Sequence, residues 1–392
     1  MTDLPLALGK WNAWWSGRRV VFVSGTAGDT RRYRCDYQAE QLRLLGATAE
    51  VVAYEQEPEL AVDELVASDC VVLHRLEWDE RVERLVALAR ERAVPTVFDT
   101  DDLTFEADAA AELAWFVGLD EAGRRASFER QQTTLAACSA ATVSTSFLAQ
   151  RARLQKRRVA VTPNAIGAEM VREADAARKA RYEAAPSPVT TIAYLSGTPT
   201  HDRDILEAAD ALVRTLRERR DVRLLVVGYL ELDARFDALA SQIDRLPFQP
   251  RARLPEILAG VDVNLAPLEH GNSFSWAKSC LKYVEAGIVR TPTIASGAPD
   301  FVRVIGHGYN GLLARSREDW AHALDRLLGD PGDRRAVASR AYEDVRARHT
   351  TAARAPALGR TFALAAIASS AEARLYNRAR RRAEAAASSR RD

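Results

Sequence analysis

Short valine-rich runs alternate with longer Ala/Leu/Arg stretches of helical period along most of this chain. Buried parallel strands read as continuous apolar runs, and crossover helices must separate them. The alternation therefore predicts an α/β fold of the doubly wound class. In the first half of the chain, the expected strands are 18–25, 47–54, 70–75, 95–99, 140–144 and 158–164.

A second series of the same kind follows an Ala/Glu/Arg-rich stretch that ends in Pro-Ser-Pro. Its expected strands are 190–197, 222–229, 261–267 and 291–296, with helices at 204–219, 254–259, 276–287 and 318–328. A chain of 392 residues also exceeds what one hydrophobic core usually organises. We expect an N-terminal domain at 1–166, a linker at 167–188, a second domain at 189–345, and a C-terminal helix with a basic tail at 346–392 that packs back toward the first domain.

Composition restricts the classes of function. The formal net charge is +1 with 28% charged residues, which does not indicate a nucleic-acid partner. The four cysteines are far apart and form no CxxC pair, and there are only six histidines. We therefore expect neither a disulfide framework nor a zinc site, and a reducing, cytoplasmic location. No apolar run reaches the roughly 18 residues of a membrane span.

Two segments near the ends of the sequence allow two interpretations. Trp11, Trp14 and Trp15 precede Arg18 and Arg19, and the tail after residue 377 is rich in arginine. Such segments are typical of peripheral contact with a membrane surface. The alternative is that the tryptophans pack on the domain and that the tail is a solvated helix.

The strongest local signal runs from 269 to 296, where a polar Gly/Asn/Ser loop leads into a helix and then a strand. A loop that feeds a helix N-terminus offers backbone N–H groups and a positive dipole end, and both favour phosphate. Lys278 and Ser279 fall in the first turn, and Lys282 and Glu285 lie three residues apart on one face. The alternative is an amphipathic surface helix in which Lys282 and Glu285 form an exposed ion pair.

These residues resemble a known family, the retaining glycosyltransferases of GT-B fold that use nucleotide sugars (glycosyl transferases group 1, family 4-like). The segment EAGIVRTPTIAS matches the part of the family pattern that begins with the ribose-binding glutamate. The segments CSAATVSTSFLAQRARLQ, VTPNAI, AYLSGT, LLVVGY and AGVDVNLAPLE extend the resemblance over most of the chain. It implies two Rossmann-like domains that face each other across a cleft.

The resemblance also assigns roles at the donor site. Glu285 would bind the ribose, Lys282 and its neighbours the phosphates, Gly197 with Thr198 the opposite wall of the phosphate site, and Phe248 the nucleobase. The full donor-binding set that it implies is Gly197, Thr198, Arg203, Gly228, Phe248, Asn272, Lys278, Ser279, Lys282 and Glu285.

The chain departs from the family at two places. Relatives often carry a second glutamate eight residues before the ribose glutamate, where this chain has Ala277. Many also use an arginine and then a lysine after the first strand of the donor domain, where this chain has Thr198 and Asp204. Arg203 is our candidate for a displaced cation. With Lys282 and Asp101 it completes the expected catalytic set.

Three aspartates follow a predicted strand in VFDTDDLTFE, namely Asp99, Asp101 and Asp102. Clustered carboxylates can bind a metal, bind sugar hydroxyls or act as a base. The resemblance aligns Asp101 with a histidine that contacts the transferred sugar. It also implies that basic residues and a helix dipole replace a metal, so we expect no metal and no cofactor besides the nucleotide sugar. Asp102 alternatively caps the segment that follows it.

Three further residues of the first half are acceptor candidates besides Asp101. Gly25 lies in a glycine-containing turn after the first strand, and Arg34 belongs to an arginine cluster that would suit an anionic acceptor. His74 ends the third strand. The alternatives are solvated arginines at a helix start and a structural histidine.

The resemblance thus implies transfer of a hexose-type sugar from a nucleoside diphosphate sugar to the hydroxyl of a glycan, lipid-linked or small-molecule acceptor, with retention and without a metal. Two other functions stay open. A nucleotide-sugar epimerase uses the same two-domain scaffold, and a non-catalytic scaffold subunit that binds nucleotide sugars would tolerate Ala277 and Thr198.

Overall fold

The computed structural model describes residues 12–55, 62–113, 118–156, 158–183, 187–197 and 203–388. Thr198 and Trp11, which the sequence singled out, lie outside these residues. The chain divides into two compact units: unit 1 comprises 1–110, 121–163 and 354–392, and unit 2 comprises 111–120 and 164–353. Each unit contains one parallel six-stranded sheet, as the alternating pattern predicts.

Unit 1 has strand order β2-β1-β3-β4-β5-β6. Its strands are β1 Arg19–Ser24, β2 Thr48–Ala53, β3 Cys70–His74, β4 Thr96–Thr100, β5 Ala140–Val143 and β6 Val159–Val161. Its helices are α1 Gly28–Arg31, a π-helix Arg32–Asp36, α2 Tyr37–Leu44, α3 Val62–Val66, α4 Glu80–Glu91, α5 Glu121–Ala137 and α6 Ser146–Arg153. A 3₁₀ helix spans Ala107–Glu112.

Unit 2 has strand order β12-β11-β10-β7-β8-β9. Its strands are β7 Thr190–Ser196, β8 Val222–Gly228, β9 Ile243–Leu246, β10 Val263–Ala266, β11 Thr293–Ser296 and β12 Leu312–Ala314. Its helices are α7 Ala168–Glu183, α8 Leu206–Glu218, α9 Leu254–Ala259, α10 Ser273–Trp276, α11 Leu281–Ile288, α12 Pro299–Val304, α13 Arg317–Gly329 and α14 Pro331–Arg348. The 3₁₀ helices Ala234–Gln242 and Arg251–Arg253 lie between them.

A last helix, α15, runs from Thr351 to Ser388, and from Arg354 onward it belongs to unit 1. There it packs on the core through Phe362, which contacts Phe22 of β1. Trp15 is fully buried in the same core and donates through Nε1 to the carbonyl oxygen of Gly359 at 3.0 Å. Trp15 is therefore a core residue, which favours the packed alternative over a membrane contact.

Several elements differ from the sequence prediction, among them helices α12 and α14, which were not predicted. The three-residue edge strand β12 of unit 2 was also not predicted. The expected helix at 276–287 is two helices, α10 and α11, with residues 277–280 between them. The π-helix before α2 was also not predicted. Within the described residues, none of the helices combines the length and hydropathy that a membrane span requires.

Candidate functional site

Lys282 lies in the first turn of α11, a helix that contacts strands β10 and β11 of unit 2. Its ammonium group is buried and has no hydrogen-bond partner among the described residues. Instead, Nζ lies 4.2 Å from the ring centroid of the buried Tyr194 on β7. Burial lowers the pKa of Lys282 to about 8, against the opposing charges of Asp204 and Glu285. A buried ammonium without an acceptor is costly unless an anion pairs with it.

The neighbouring residues of the predicted phosphate site surround Lys282. Glu285 raises the pKa of Lys282 through its charge and Lys278 lowers it, so all three belong to one electrostatic neighbourhood. The Nζ atom of Lys278 lies 4.5 Å from the ring centroid of Phe274. The hydroxyl of Ser279 accepts a hydrogen bond from Asn164 Nδ2 at 3.1 Å. The structure thus brings together the lysines, the serine and the glutamate that the sequence grouped.

Asn264 positions α11 on the sheet, and the sequence analysis did not identify it. It lies on β10, is 2% exposed, and its Nδ2 atom donates to the carbonyl oxygen of Lys282 and to Thr293 Oγ1, each at 3.1 Å. A polar residue in a buried parallel strand is the sequence signal that marks it. Its hydrogen bonds fix the backbone from which Lys282 projects.

An internal carboxylate lies at the start of α11. The backbone N–H of Cys280, the residue before the helix, donates to Asp300 Oδ2 at 2.9 Å. Asp300 is only 3% exposed and also pairs with Arg303. Asp300 therefore occupies one N–H group at the helix end that the sequence analysis expected to favour phosphate.

The loop before α10 is fixed by internal hydrogen bonds. Asn272 caps α10, because its Oδ1 atom accepts from the Ser275 N–H at 3.0 Å while its Nδ2 atom donates to Glu269 Oε2 at 3.0 Å. Glu269 also pairs with Arg203 at 2.7 Å, and its own N–H donates to the buried Asp204 at 2.7 Å. Arg203, the expected displaced cation, is 67% exposed and paired with a carboxylate in this conformation.

The two glycines predicted at the donor site, Gly197 and Gly228, have different surroundings. Gly228 ends β8 with φ of +92°, and a Cβ atom there would lie 1.9 Å from the carbonyl oxygen of Ser196. Only glycine fits this position, where β8 and β7 approach closely. No atom of the described residues lies within 4 Å of a Cβ atom placed on Gly197. Its predicted partner in the phosphate-site wall, Thr198, lies outside the described residues.

Phe248 stacks on a second aromatic residue that the sequence analysis missed. The rings of Tyr229 and Phe248 lie 5.7 Å apart at 25°. Tyr229 is 52% exposed and Phe248 is 47% exposed, although both are large aromatic residues. They follow the carboxyl ends of β8 and β9, the edge at which ligands bind in open α/β sheets. The dipeptide Gly228-Tyr229 after a buried strand is the signal that could have identified Tyr229.

At the carboxyl edge of the unit 1 sheet, Gly25, His74 and Asp101 converge on Arg75. A Cβ atom on Gly25 would lie 2.8 Å from the Arg75 carbonyl oxygen, so the close approach of these two turns requires glycine. Arg75 has φ of +50°, an unusual conformation for a non-glycine residue. Its guanidinium pairs with Asp102 at 3.1 Å and lies 3.8 Å from Asp101.

Arg34 does not join this group. It is fully buried and forms a bidentate pair with the equally buried Asp99, with distances of 2.8 and 2.7 Å. It also donates to the backbone oxygen of Thr162 at 2.6 Å and to its hydroxyl at 2.7 Å. The expectation that Arg34 binds an anionic acceptor is wrong for this conformation, because its guanidinium is enclosed and faces a carboxylate.

In the part of the chain that the structure describes, no group of three or more His, Cys, Asp or Glu residues lies together in a way that could hold a metal ion. The four cysteines are buried thiols.

Residues 190–330 match the sequence profile of the family described as Glycosyl transferases group 1. Two curated relatives are D-inositol 3-phosphate glycosyltransferases. That of Nocardia farcinica is 33% identical over 145 residues, which cover 32% of this chain and 31% of the relative. That of Stackebrandtia nassauensis is 27% identical over 207 residues, which cover 49% of this chain and 45% of the relative. The chain thus spans less than half the length of these relatives.

Solved structures resemble the chain over more of its length. Anabaena HepE in complex with UDP-glucose has a TM-score of 0.59 at 14% identity and covers 88% of this chain and 99% of its own. Sucrose-phosphate synthase from Thermosynechococcus elongatus has a TM-score of 0.60 at 14% identity, with 88% and 98% covered. At this identity the likeness shows the fold, which is GT-B.

Proposed function

We propose that this chain, whose residues 190–330 belong to the family Glycosyl transferases group 1, transfers a hexose from a nucleoside diphosphate sugar to an acceptor hydroxyl, with retention and without a metal ion. The names of the curated relatives support transfer of a sugar. The complex of Anabaena HepE with UDP-glucose supports a nucleotide-sugar donor.

The observation that carries the proposal is the buried ammonium of Lys282. It has no hydrogen-bond partner among the described residues, and its pKa of about 8 leaves it protonated at neutral pH. A diphosphate supplies the acceptor oxygens and the negative charge that this group lacks. As the sugar departs, negative charge grows on the diphosphate, so a cation already in place stabilises the transition state more than the ground state.

Other residues of unit 2 would bind the remaining parts of the donor. Glu285, one turn deeper in α11, would accept the ribose hydroxyls, and Lys278 adds a second positive charge at the phosphates. The exposed aromatic pair of Tyr229 and Phe248 offers a flat apolar surface of the kind on which a nucleobase stacks. Stacking is tolerant of sequence because every base has a π-face, so this pair does not select between uracil, guanine and adenine.

The arginine and the lysine that many relatives carry after the first strand of the donor domain are absent from this chain. Asp204 is a buried carboxylate where relatives carry a lysine, and Arg203 pairs with Glu269. We propose that a donor phosphate competes with Glu269 for Arg203, whose 67% exposure leaves it reachable. Asp101 in unit 1 would position the transferred sugar or the acceptor hydroxyl, and no covalent enzyme nucleophile is required.

A transfer assay tests the proposed function. The chain is incubated with UDP-, GDP- and ADP-hexoses and a panel of sugars and cyclitols, with EDTA present. We expect one base to be preferred, nucleoside diphosphate to be released, and the product to keep the anomeric configuration of the donor by NMR. Asp101→Asn should lower the rate about tenfold or more, because a positioned polar group contributes at least this much.

The matched control is Asp108→Asn, since Asp108 is 93% exposed in the same unit and should leave the rate unchanged. Three outcomes would contradict the proposal. An epimerised nucleotide sugar without acceptor would indicate an epimerase, binding without any turnover would indicate a scaffold subunit, and loss of activity in EDTA would contradict metal independence.

A further inference from the structure

Three guanidinium groups of unit 2 surround the ring of Tyr342, which lies on helix α14. The Cζ atoms of Arg178 on α7, Arg290 after α11 and Arg346 on α14 lie 5.1, 4.7 and 6.0 Å from the ring centroid. The tyrosine is half-buried, and helix α11 packs against both α7 and α14. Three parts of the fold thus converge on one side chain. We call these four residues the arginine cluster.

The positive charge of the arginine cluster exceeds the negative charge in contact with it. Asp175 Oδ1 lies 3.2 Å from Arg178 Nη2, and Asp175 Oδ2 lies 3.4 Å from Arg346 Nη1. One carboxylate is therefore shared by two guanidinium groups. Arg290 pairs with none of the carboxylates that the structure describes. Three cations thus have a single described carboxylate as their ion-pair partner.

The cations that flank the arginine cluster in the sequence have carboxylates of their own. Lys179 pairs with Glu183 on α7 at 3.9 Å, and Arg348 pairs with Asp344 on α14 at 3.2 Å. These are ordinary helix pairs of residues four apart, and they neutralise each other at the surface. The charge at the Tyr342 ring is different, because several guanidinium groups are gathered there around one carboxylate.

The backbone of Arg290 is unusual for a residue with a side chain. Its φ of +64° lies in the left-handed region, which glycine adopts at much lower cost. Arg290 follows Val289, the C-cap of α11, and its N–H donates to the Gly287 carbonyl oxygen at 3.0 Å. Glycine is the most common residue at this position after a helix. Strained residues of this kind are concentrated at functional sites, and this one carries its guanidinium to the Tyr342 ring.

The guanidinium groups of the arginine cluster keep N–H donors for a ligand. An arginine that lies over an aromatic ring uses the face of its guanidinium plane, so the N–H groups at the edge stay available for a phosphate. Asp175 accepts from one terminal nitrogen each of Arg178 and Arg346. The Nε atom of Arg178 is buried and has no hydrogen-bond partner among the described residues. A small anion with several oxygens would supply the acceptors and the negative charge.

We propose that the arginine cluster binds the phosphate or diphosphate group of a small soluble anion, at a site separate from that at Lys282. Phosphate oxygens accept bidentate hydrogen bonds from guanidinium groups and bring the counter-charge. Three guanidinium groups at one ring suit one small anion, whereas a nucleic acid or a membrane surface requires cations spread over a longer face. Lys282 and Arg290 lie at opposite ends of α11, whose eight residues span about 12 Å.

Calorimetric titration with inorganic pyrophosphate tests the proposal. The protein carries Lys282→Met, which suppresses binding at the proposed donor site. We expect a single pyrophosphate to bind, and Arg290→Gly in this background should raise its Kd about tenfold or more, because one charge-assisted donor group is lost. The melting temperature should stay equal or rise, because glycine relieves the left-handed backbone. The matched control is Arg217→Met, which removes the same charge from an exposed position on α8.

A second variant separates ligand binding from a structural role of the arginine cluster. Asp175→Asn removes the carboxylate that competes with the anion, so it should lower the Kd for pyrophosphate about threefold or more. A purely structural cluster would lose stability in this variant and gain no affinity.

Four results would overturn the proposal. They are absence of pyrophosphate binding, a Kd that Arg290→Gly leaves unchanged, equal weakening by Arg217→Met, and a Kd that Asp175→Asn does not lower. Binding to phosphatidylglycerol vesicles that Arg290→Gly abolishes, without any binding of pyrophosphate, would also overturn it and would indicate a lipid headgroup. No sugar donor enters the titration, so its outcome is independent of the proposed transfer activity.

Discussion

Two buried cations in this chain have opposite environments. Arg34 is enclosed with Asp99, and both of its terminal nitrogens have protein acceptors. Lys282 is also buried at its charged end, but it faces an aromatic ring and has no hydrogen-bond acceptor within the described residues. A buried charge that is paired within the protein stabilises the fold, whereas a buried charge without a protein acceptor is suited to binding a ligand of opposite charge. This contrast favours a structural role for Arg34 in unit 1 and supports the proposed role of Lys282 in donor binding.

Replacing Arg34 tests its structural role. Arg34→Met leaves the Asp99 carboxylate buried without its counter-charge, so we expect a loss of about 3–5 kcal/mol in the free energy of unfolding. Arg223→Met is the matched control, because the Arg223 side chain is 35% exposed and pairs with the exposed Asp244, and it should cost at most about 1 kcal/mol. Urea denaturation of both variants measures the difference. Equal losses would show that the buried pair contributes no more than a surface pair.

The grouping of residues was predictable only where the local sequence carries it. Lys278, Ser279, Lys282 and Glu285 form a short pattern, and one helix start brings them together. The partners of Arg34 lie 65 and 128 residues away in sequence, so an arginine cluster before a helix could not show that one of its members is buried. The sequence analysis missed Arg75 and Tyr229 for the same reason. Each of them contacts residues that follow the end of another strand.

At the scale of elements, helix α15 depends on one small residue. A Cβ atom on Gly359 would lie 2.2 Å from Leu45 Cδ1 and 3.0 Å from Trp15 Nε1. The glycine thus lets α15 approach the N-terminal tryptophan and the end of α2 closely, and its carbonyl oxygen accepts from Trp15. Close packing of this kind leaves no room for a methyl group.

Gly359→Ala should therefore destabilise the protein by about 1–3 kcal/mol through overpacking, despite the higher helix propensity of alanine. Gly329→Ala is the matched control, because Gly329 ends helix α13 and a Cβ atom there meets nothing within 4 Å. That variant should be neutral or slightly stabilising. Thermal unfolding of the pair separates the two effects, and a Gly359→Ala variant as stable as the control would contradict the packing account.

Elements with long apolar runs were predictable, and short or irregular ones were not. All six strands of unit 1 and the four inner or longer strands of unit 2 follow from continuous valine-rich segments. The edge strand β12 is too short to show a period. The break between α10 and α11 escaped notice because residues 277–280 keep a helical composition. Their backbone is instead fixed by tertiary bonds such as that from Cys280 to Asp300.

At the scale of the whole molecule, the chain contains two units, each with a six-stranded parallel sheet, and the fold is GT-B. The alternating sequence pattern predicted this architecture because buried parallel strands need crossover helices. The donor candidates that the structure describes all lie in unit 2, within the segment that matches Glycosyl transferases group 1. We propose that unit 2 binds the donor and unit 1 the acceptor. Nucleotide binding can test the first of these roles without an acceptor.

The most direct test is calorimetric titration of UDP, GDP and ADP into the protein at pH 7 and pH 9. For the best ligand, Kd should rise about tenfold between these pH values, because the free Lys282, with a pKa of about 8, loses its proton while the diphosphate favours the protonated form. Lys282→Met should weaken binding at pH 7 about tenfold or more and abolish this pH dependence. Lys179→Met, at a side chain that is 76% exposed, should bind as the unaltered protein does. Absence of binding by all three nucleotides, or unchanged binding by Lys282→Met, would contradict the account.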